Sequence, residues 1–491
     1  MSILIEQLNA SKIKVLSDKS IALDIRDNYT FFAENYKHHP KFKARIWDGK
    51  IRMFNTQNRT MPAGLIQNLS TFLKSQNYEY EVKNAFKTEP VSMDEINKFI
   101  ETLNLPEHLV PRDYQLEAIF AAINSGRGIY ISPTASGKSF IIYVVWRWFR
   151  DKGDISKSIL VVPTIGLVNQ MFSDFKSYGF DSESNIHMIT AGSDKESDKE
   201  LIISTWQSIY KLPEKWFEKF QLIIGDEVHR FAAVSLNTIM NNLVNAHYRF
   251  GFSGTLDGSN VNELTLEGLF GPIVMVTTTH KLMQEGHVAK FKIKTIVLKY
   301  PEKFKKWFHR SKIDYKSEID LIVFNEQRNR IIVDLVASIK EGNTIVFFKF
   351  VDNHGAILKP MIQKALEGTG RKFFYIDGSV TSSEREYIRH AVEKESNAVI
   401  LASTGTTSTG INIVSLRNMI FTTPTKSRIT VLQSIGRTLR QFNNKEAVLY
   451  DIADDFSLGK RVNHTYRHFL ERLQIYIKEK FDYKVYYKEM K

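Results

Sequence analysis

Short apolar runs, each closed by small or polar residues and followed by a longer helical repeat, recur through most of the chain. Residues 128–131, 159–162, 201–203, 222–224 and 248–252 form one series. Residues 344–348, 372–376, 399–402 and 419–421 form a second. Near-continuous apolar runs suit strands buried on both faces, and helical segments between them give parallel crossover connections. The pattern predicts an α/β fold with two tandem doubly wound parallel sheets, which hold ligands at the carboxyl ends of their strands. A small α+β domain is expected ahead of them, with Leu65, Leu69, Phe72 and Leu73 on one helix face. The expected division is 1–86, 87–285 and 286–491, with a linker near 83–93. Residues 257–343 carry no clear pattern.

The first 86 residues hold a basic stretch. From Lys37 to Arg59 there are seven Lys or Arg (Lys37, Lys41, Lys43, Arg45, Lys50, Arg52, Arg59) against one acid, Asp48, with Phe42, Trp47 and Phe54 among them. Basic and apolar residues alternate on both sides of Asp48-Gly49, a two-residue hairpin signal. The expected hairpin puts basic side chains on one face, able to follow a phosphate backbone, and apolar ones on the other, with Lys41, Lys43, Arg45, Trp47, Lys50 and Arg52 as the candidate DNA contacts. The competing reading is a solvated face.

Composition narrows the chemistry. The formal net charge of +13 favours a polyanionic partner, nucleic acid before acidic membrane. The absence of cysteine excludes disulfides, thiolate zinc sites and a cysteine nucleophile. The 13 histidines show no H-E-x-x-H spacing. No apolar run reaches membrane-spanning length, and the first residues lack a signal-peptide pattern, so a cytoplasmic location is expected.

The chemistry centres on residues 128–148. An apolar run ends in Ser132-Pro133-Thr134-Ala135-Ser136-Gly137-Lys138-Ser139, and a helical apolar run follows. A loop opening a helix presents unpaired N–H groups and the positive end of the helix dipole to an anion. Gly137 permits close backbone approach, Lys138 meets the β- and γ-phosphates, and the Ser139 hydroxyl meets Mg²⁺. Ser132 stands where the usual motif has its first glycine. Upstream, Gln115 in Arg112-Asp113-Tyr114-Gln115 is either an adenine reader or a polar residue at a helix start.

Downstream, Asp226-Glu227-Val228-His229 closes an apolar strand. Asp226 suits Mg²⁺, through water, and Glu227 suits activation of the attacking water. Pro163, Thr164, Thr205, Gln207 and the Ser253-Gly254-Thr255 turn also end strands and offer contacts to a nucleic-acid backbone. In the second half, no phosphate loop follows the strand at 344–348, so that sheet reads as a partner lobe. Lys349 ends that strand, and Thr404-Gly405 through Gly410 is a small polar run suited to a backbone and a nucleotide. Gln433-Ser434-Ile435-Gly436-Arg437-Thr438-Leu439-Arg440 sets Arg437 and Arg440 three residues apart on one helix face, placed to neutralise transition-state charge. In the last 36 residues, nine Lys or Arg face four acids, and Tyr466, Phe469, Leu470, Leu473 and Ile477 form a stripe expected to pack on the second lobe.

As an ordered set, these motifs resemble those of superfamily 2 helicases and translocases, over roughly residues 107–455. Within that superfamily the chain resembles the UvsW-type phage helicases of branched DNA, in Trp47-Asp48-Gly49-Lys50-Ile51-Arg52 and in the connector Thr277-Thr278-Thr279-His280-Lys281-Leu282-Met283. The resemblance implies two RecA-like lobes, ATP and Mg²⁺ as cofactors, and branched DNA or RNA–DNA hybrids as partners. It also implies ATP-driven unwinding or branch migration in recombination, replication and repair, in the host cytosol if the chain is phage-encoded. Asp-Glu-Val-His and Ser-Gly-Thr differ from the Asp-Glu-Ala-Asp and Ser-Ala-Thr of RNA helicases and lean toward DNA. Two other readings stay open: an ATP-dependent RNA helicase, and an ATP-switched DNA-binding or annealing protein that does not unwind.

Overall fold

A computed structural model describes the chain apart from residues 1–2, 34–35, 191, 232–233, 257–258, 405–412, 414, 425–430, 432–435 and 437–445. Contacts divide it into two compact units. One comprises Met1–Ser132 and Gly137–Thr277, the other Pro133–Ser136 and Thr278–Lys491.

The first unit begins with a four-stranded mixed sheet, in the order Thr60–Pro62, Lys12–Leu16, Ile3–Gln7, Tyr80–Lys83. Ile3, Ile5, Ile13 and Val15 alternate onto one face, where Ile25, Leu69 and Leu73 of helices Lys19–Asn28 and Ile66–Ser75 close the core. The second helix is the one expected from its spacing. The basic hairpin is not formed. Pro40–Lys43 is a short helix, started by Pro40 and capped by the His39 ring, which accepts from Lys41 N. Arg45 then adopts a left-handed φ of 57° and ends the turn. Asp48 and Gly49 do make a turn: the Asp48 carboxylate accepts from Lys50 N and Gly49 has φ 79°. The strand that leaves it, Lys50–Arg52, pairs antiparallel with Thr30–Phe32. A local turn signal fixed the bend but not the partner.

This sheet is seated on the rest of the unit. Ala10 N donates to Val244 O at 2.9 Å, and Gly64 lies so close to helix Asn260–Phe270 that a Cβ would collide with Glu267 O. Arg249 is fully buried and is met by carbonyl and hydroxyl oxygens. It donates to the carbonyls of Ala246, Met240, Leu269 and Leu243 and to Ser11 Oγ. Five oxygens from three segments solvate one guanidinium and tie Ser11 to the larger body.

That body is a seven-stranded, wholly parallel sheet, in the order Ile273–Met275, Arg127–Ile131, Tyr248–Ser253, Leu222–Asp226, Ser158–Val162, Leu201–Thr205, Ile186–Ile189. Alternate residues feed two cores. Tyr130, Leu160, Leu222 and Ile224 enter one, and Ile129, Ile159, Val161 and Ile223 the other. Helix Lys138–Asp151 follows the first of these runs and buries nine of its side chains, Phe140 to Phe149.

The second unit is also built on a seven-stranded parallel sheet, ordered Phe373–Ile376, Val399–Ser403, Asn343–Phe348, Leu416–Phe421, Glu446–Asp455, Lys290–Lys299, Asp482–Glu489. The last three strands escape a search for apolar runs because they alternate charged and apolar residues. The expected terminal stripe is also redrawn. Helix His464–Lys478 buries Phe469, Ile475 and Tyr476, whereas Leu470 is 38% and Ile477 48% exposed. The deciding contact is polar. Arg472 donates to both oxygens of buried Asp451 at 2.9 Å, and Tyr476 OH donates to Oδ2 at 2.9 Å. Arg328 is likewise buried against Asp454 at 2.8 Å. Asp451→Ala strands a buried guanidinium, and should destabilise the second unit by about 3–5 kcal/mol in urea unfolding.

Candidate functional site

Strand Arg127–Ile131 lies beside Tyr248–Ser253, and that strand beside Leu222–Asp226. The register sets Ile131 level with Ser253 and Asp226 level with Phe252, so the three carboxyl ends open together. Ser132 N donates to Ser253 O at 2.9 Å, which joins the loop after the first strand to the turn after the second.

In the loop, Ser136 N and Oγ both donate to Pro133 O, at 3.2 and 2.6 Å. Its left-handed residues are Ala135, at φ 69°, and Gly137, at φ 80°. Ser132 is not among them, which explains why a serine serves in the place of the usual first glycine. Ser136 sits between these constrained positions. Gly137 ends the loop as the N-cap of helix Lys138–Asp151. Lys138 Nζ folds back onto Ser132 O at 3.2 Å, and Ser139 Oγ is hydrogen-bonded to Tyr178 OH at 2.8 Å. Gln115 is buried with Oε1 accepting from Arg112 N at 2.9 Å, and its Nε2 lies where a Cβ on Gly137 would have to go. Arg112, Gln115 and the loop are therefore neighbours.

Asp226 and Glu227 end the third strand. Asp226 is 4% exposed, and its Oδ1 is buried with no hydrogen-bond partner among the described residues. Burial first, then the Glu227 carboxylate, pushes its pKa up to about 7 against the pull of Lys138. Glu227 has a left-handed φ of 54°. For its carboxyl, burial is outweighed by a hydrogen bond from His229 and by the charges of Lys138, His229 and Arg230, which hold it down at about 2. His229 Nδ1 lies 3.3 Å from Glu227 Oε2 and 3.0 Å from Ser253 Oγ. Ser253 Oγ donates to Thr255 O at 2.8 Å. The acidic motif, the Ser-Gly-Thr turn and the phosphate loop thus form one bonded chain. Sequence reasoning singled out those three segments but missed the joint at His229 and the Tyr178 contact. No local motif flags Tyr178, because it reaches Ser139 only through the fold.

Thr205 ends its strand, level with Val162, and Pro163, Thr164 and Gln207 follow the carboxyl ends of the two paired strands. Thr164 Oγ1 caps helix Ile165–Ser177 by accepting from Leu167 N, and Thr205 Oγ1 is bonded to Ser208 Oγ at 2.9 Å. Gln207 is exposed. In the second unit, Lys349 and Thr404 follow paired strands whose ends, Phe348 and Ser403, are level. Gly405, Gly410, Gln433, Arg437 and Arg440 lie outside the described residues.

The N-terminal basic residues line an open depression of about 820 Å³, with Lys37, Lys43, Arg45 and Arg52 around Ile46 and Trp47. Asp48, its one acid, is paired with Arg52 and held down at about 2 by that hydrogen bond. Lys50 lies over the Phe32 ring at 5.2 Å, and Trp47 Nε1 donates to Lys50 O at 3.0 Å. Lys41 is exposed on the short helix outside the depression.

Two tandem parallel sheets, the first with a lysine-serine loop and an Asp-Glu pair at its open edge, define the two-lobe motor of superfamily 2 helicases. Three family models match in order: DNA helicase UvsW, N-terminal, over residues 2–83; type III restriction enzyme, res subunit, over 108–258; and helicase conserved C-terminal domain, over 327–441. The ATP-dependent DNA helicase uvsW of Enterobacteria phage T4 is 30% identical over 494 residues, covering 96% of this chain and 97% of that protein. The DNA 3'-5' translocase XPB2 of Sulfurisphaera tokodaii is 25% identical, over 78% of this chain and 91% of that one. The crystal structure of T4 UvsW matches at 28% identity and a TM-score of 0.53, with 100% of both chains covered. The chain belongs to the UvsW helicase family.

Asp226→Asn removes a buried charge that has another carboxylate beside it. It should raise the melting temperature of the first unit in calorimetry while ATP turnover is lost.

Proposed function

We propose that the protein is an ATP-dependent DNA helicase that acts on branched DNA: forks, four-way junctions, D-loops or R-loops. The observation that carries this reading is the likeness to T4 UvsW along nearly the whole chain, including the basic N-terminal segment. The proposed division is a small DNA-binding domain at 1–86, an ATP-binding lobe at 87–285 and a second lobe at 286–491, working in the host cytosol.

In this reading Arg112 and Gln115 hold the adenine, and residues 133–139 hold the phosphates. Lys138 leaves Ser132 O to meet the β- and γ-phosphate oxygens. The buried, unpartnered Asp226 Oδ1 and the Ser139 hydroxyl fit a hard cation, directly or through water. Mg²⁺ bound there would offset charge on the phosphate oxygens. Glu227, kept ionised by His229 and Lys138, accepts the proton of the water that attacks the γ-phosphorus. Gly410, Gln433, Arg437 and Arg440 complete the site, the arginines compensating charge in the transition state. Pro163, Thr164, Thr205 and Gln207, with Lys349, Thr404 and Gly405, follow a DNA backbone. The depression around Trp47, with Lys41 and Lys50 beside it, grips DNA near the junction.

Steady-state ATPase activity, measured with single strand, linear duplex, forked and four-way DNA and a structured RNA at one salt concentration, is expected to peak with forked or four-way DNA. Lys138→Ala should abolish the rate in every arm and leave DNA binding within a few-fold. A maximum with RNA would sink the reading. Charge reversal of Lys43, Arg45 and Arg52 should lower fork affinity and reduce the log–log salt slope by about 2–3. An unchanged slope removes that depression from the DNA path.

A further inference from the structure

One face of the second unit's sheet packs into the core through Ile296, Leu298 and Tyr450 and carries charge beyond them. Strand Lys290–Lys299 is internal, paired with Glu446–Asp455 on one side and Asp482–Glu489 on the other. Its odd residues Phe291, Ile293 and Val297 are buried in the core. Its even residues begin Lys290, Lys292, Lys294, the first two exposed and the third half-buried. The register sets Lys294 level with Tyr450 and Lys484, Ile296 level with Tyr486, and Leu298 level with Lys488. Residues level in neighbouring strands share a face, so five lysines and two tyrosines lie on one side of three adjacent strands. Two acids share it. Glu446 is bonded to Lys292 at 2.6 Å, and Asp482 stands level with Lys292. Three lysines remain in excess.

Tyr486 is available for contact, at 47% exposed. Tyr450 is half-buried against the core, with the Lys294 ammonium 5.5 Å from its ring centroid. The rings sit two strands and one register step apart, on the order of 10 Å. Lysines on a free edge strand deter pairing with other chains, which accounts for Lys484 and Lys488. It does not account for Lys290, Lys292 and Lys294, whose strand has a partner on each side.

We propose that this face is a binding platform for single-stranded DNA. Lysines neutralise phosphates of any nucleic acid, whereas exposed rings on a sheet take bases whose π-faces are free, which a duplex hides. The platform is distinct from the residues at the carboxyl ends of the same sheet. Lys292 is level with Val448, which is level with Asn418 and Thr344 near the start of strand Asn343–Phe348, whereas Lys349 lies past its end. A strand held here is held away from the open edge of the sheet. The inference rests on the helicase reading for the choice of DNA.

Binding of a fluorescein-labelled oligodeoxythymidine to the full chain, read by anisotropy without nucleotide over a salt series, tests it. Lys294→Glu/Lys484→Glu/Lys488→Glu should weaken binding at least tenfold and reduce the log–log salt slope by about 2. Tyr486→Ala should weaken the single strand about tenfold and a duplex of equal length little, while Tyr486→Phe, which keeps the ring, binds normally. Unchanged affinity and slope in the lysine variant, or equal loss on duplex for Tyr486→Ala, would overturn the proposal. Tighter binding of oligouridine than of oligodeoxythymidine would overturn its assignment to DNA. DNA-stimulated ATPase of the unaltered chain is the separate arm: a normal response beside failed platform variants sinks only this inference, and no response to any DNA sinks the helicase reading.

Discussion

One hydrogen bond, from Ser132 N to Ser253 O, continues the pairing of two strands past their ends and holds the first lobe's chemistry in register. With it, a loop that must bind anions is fixed against a turn whose serine hydroxyl contacts His229, and His229 contacts Glu227. The constraint behind it is parallel pairing: when all strands run the same way, their loops gather at one edge. Strand Tyr248–Ser253, with Phe250 and Phe252 in the core, is the spacer that sets the distance between the phosphate loop and the acids. A slip of one residue there would turn Phe252 to the other core and move Ser253 away from both partners.

Buried charge is handled in opposite ways in structural and chemical places. Arg249, Arg328 and Arg472 are fully buried, and the first is met by carbonyls and a hydroxyl, the others by carboxylates in direct contact. These contacts fix how segments meet, although Arg328 Nη1 and Asp454 Oδ2 have no hydrogen-bond partner among the described residues. Asp226 is also buried, with one oxygen lacking a hydrogen-bond partner among the described residues and a second carboxylate beside it. The fold carries that cost at a strand end, where a ligand can arrive. A buried acid beside a second carboxylate at an open edge therefore says more about function here than the acids paired with arginine do.

Much of the architecture was legible because the strands that flank the nucleotide site are buried on both faces and spell continuous apolar runs. The strands that escaped notice, Lys290–Lys299, Glu446–Asp455 and Asp482–Glu489, alternate apolar residues with Lys, Asp and Tyr, as strands with one wet face or with buried ion pairs must. The basic hairpin failed for another reason. Asp48-Gly49 does turn the chain, but Pro40 and the His39 cap commit the preceding residues to a helical turn, and Phe31 opposite Ile51 supplies the missing strand. At the site, the loop and the acids could be read from local spacing. Tyr178, 39 residues from the serine it touches, could not.

The N-terminal depression and the lysine face of the second sheet show how a net charge of +13 becomes informative only once it is located. Both concentrate cations beside apolar or aromatic side chains, exposed Ile46 and half-buried Trp47 in one, exposed Tyr486 and half-buried Tyr450 in the other. They differ in their mounting. The first lies in a small domain whose Ser11 is bonded to Arg249 and whose Gly64 touches the helix that follows the Ser-Gly-Thr turn, so a load on the depression acts on the body that carries the phosphate loop. The second lies on the sheet of the other unit, at the end away from Lys349 and Thr404. On the proposed readings each unit carries a surface for nucleic acid, which is a reason for the chain to be basic throughout.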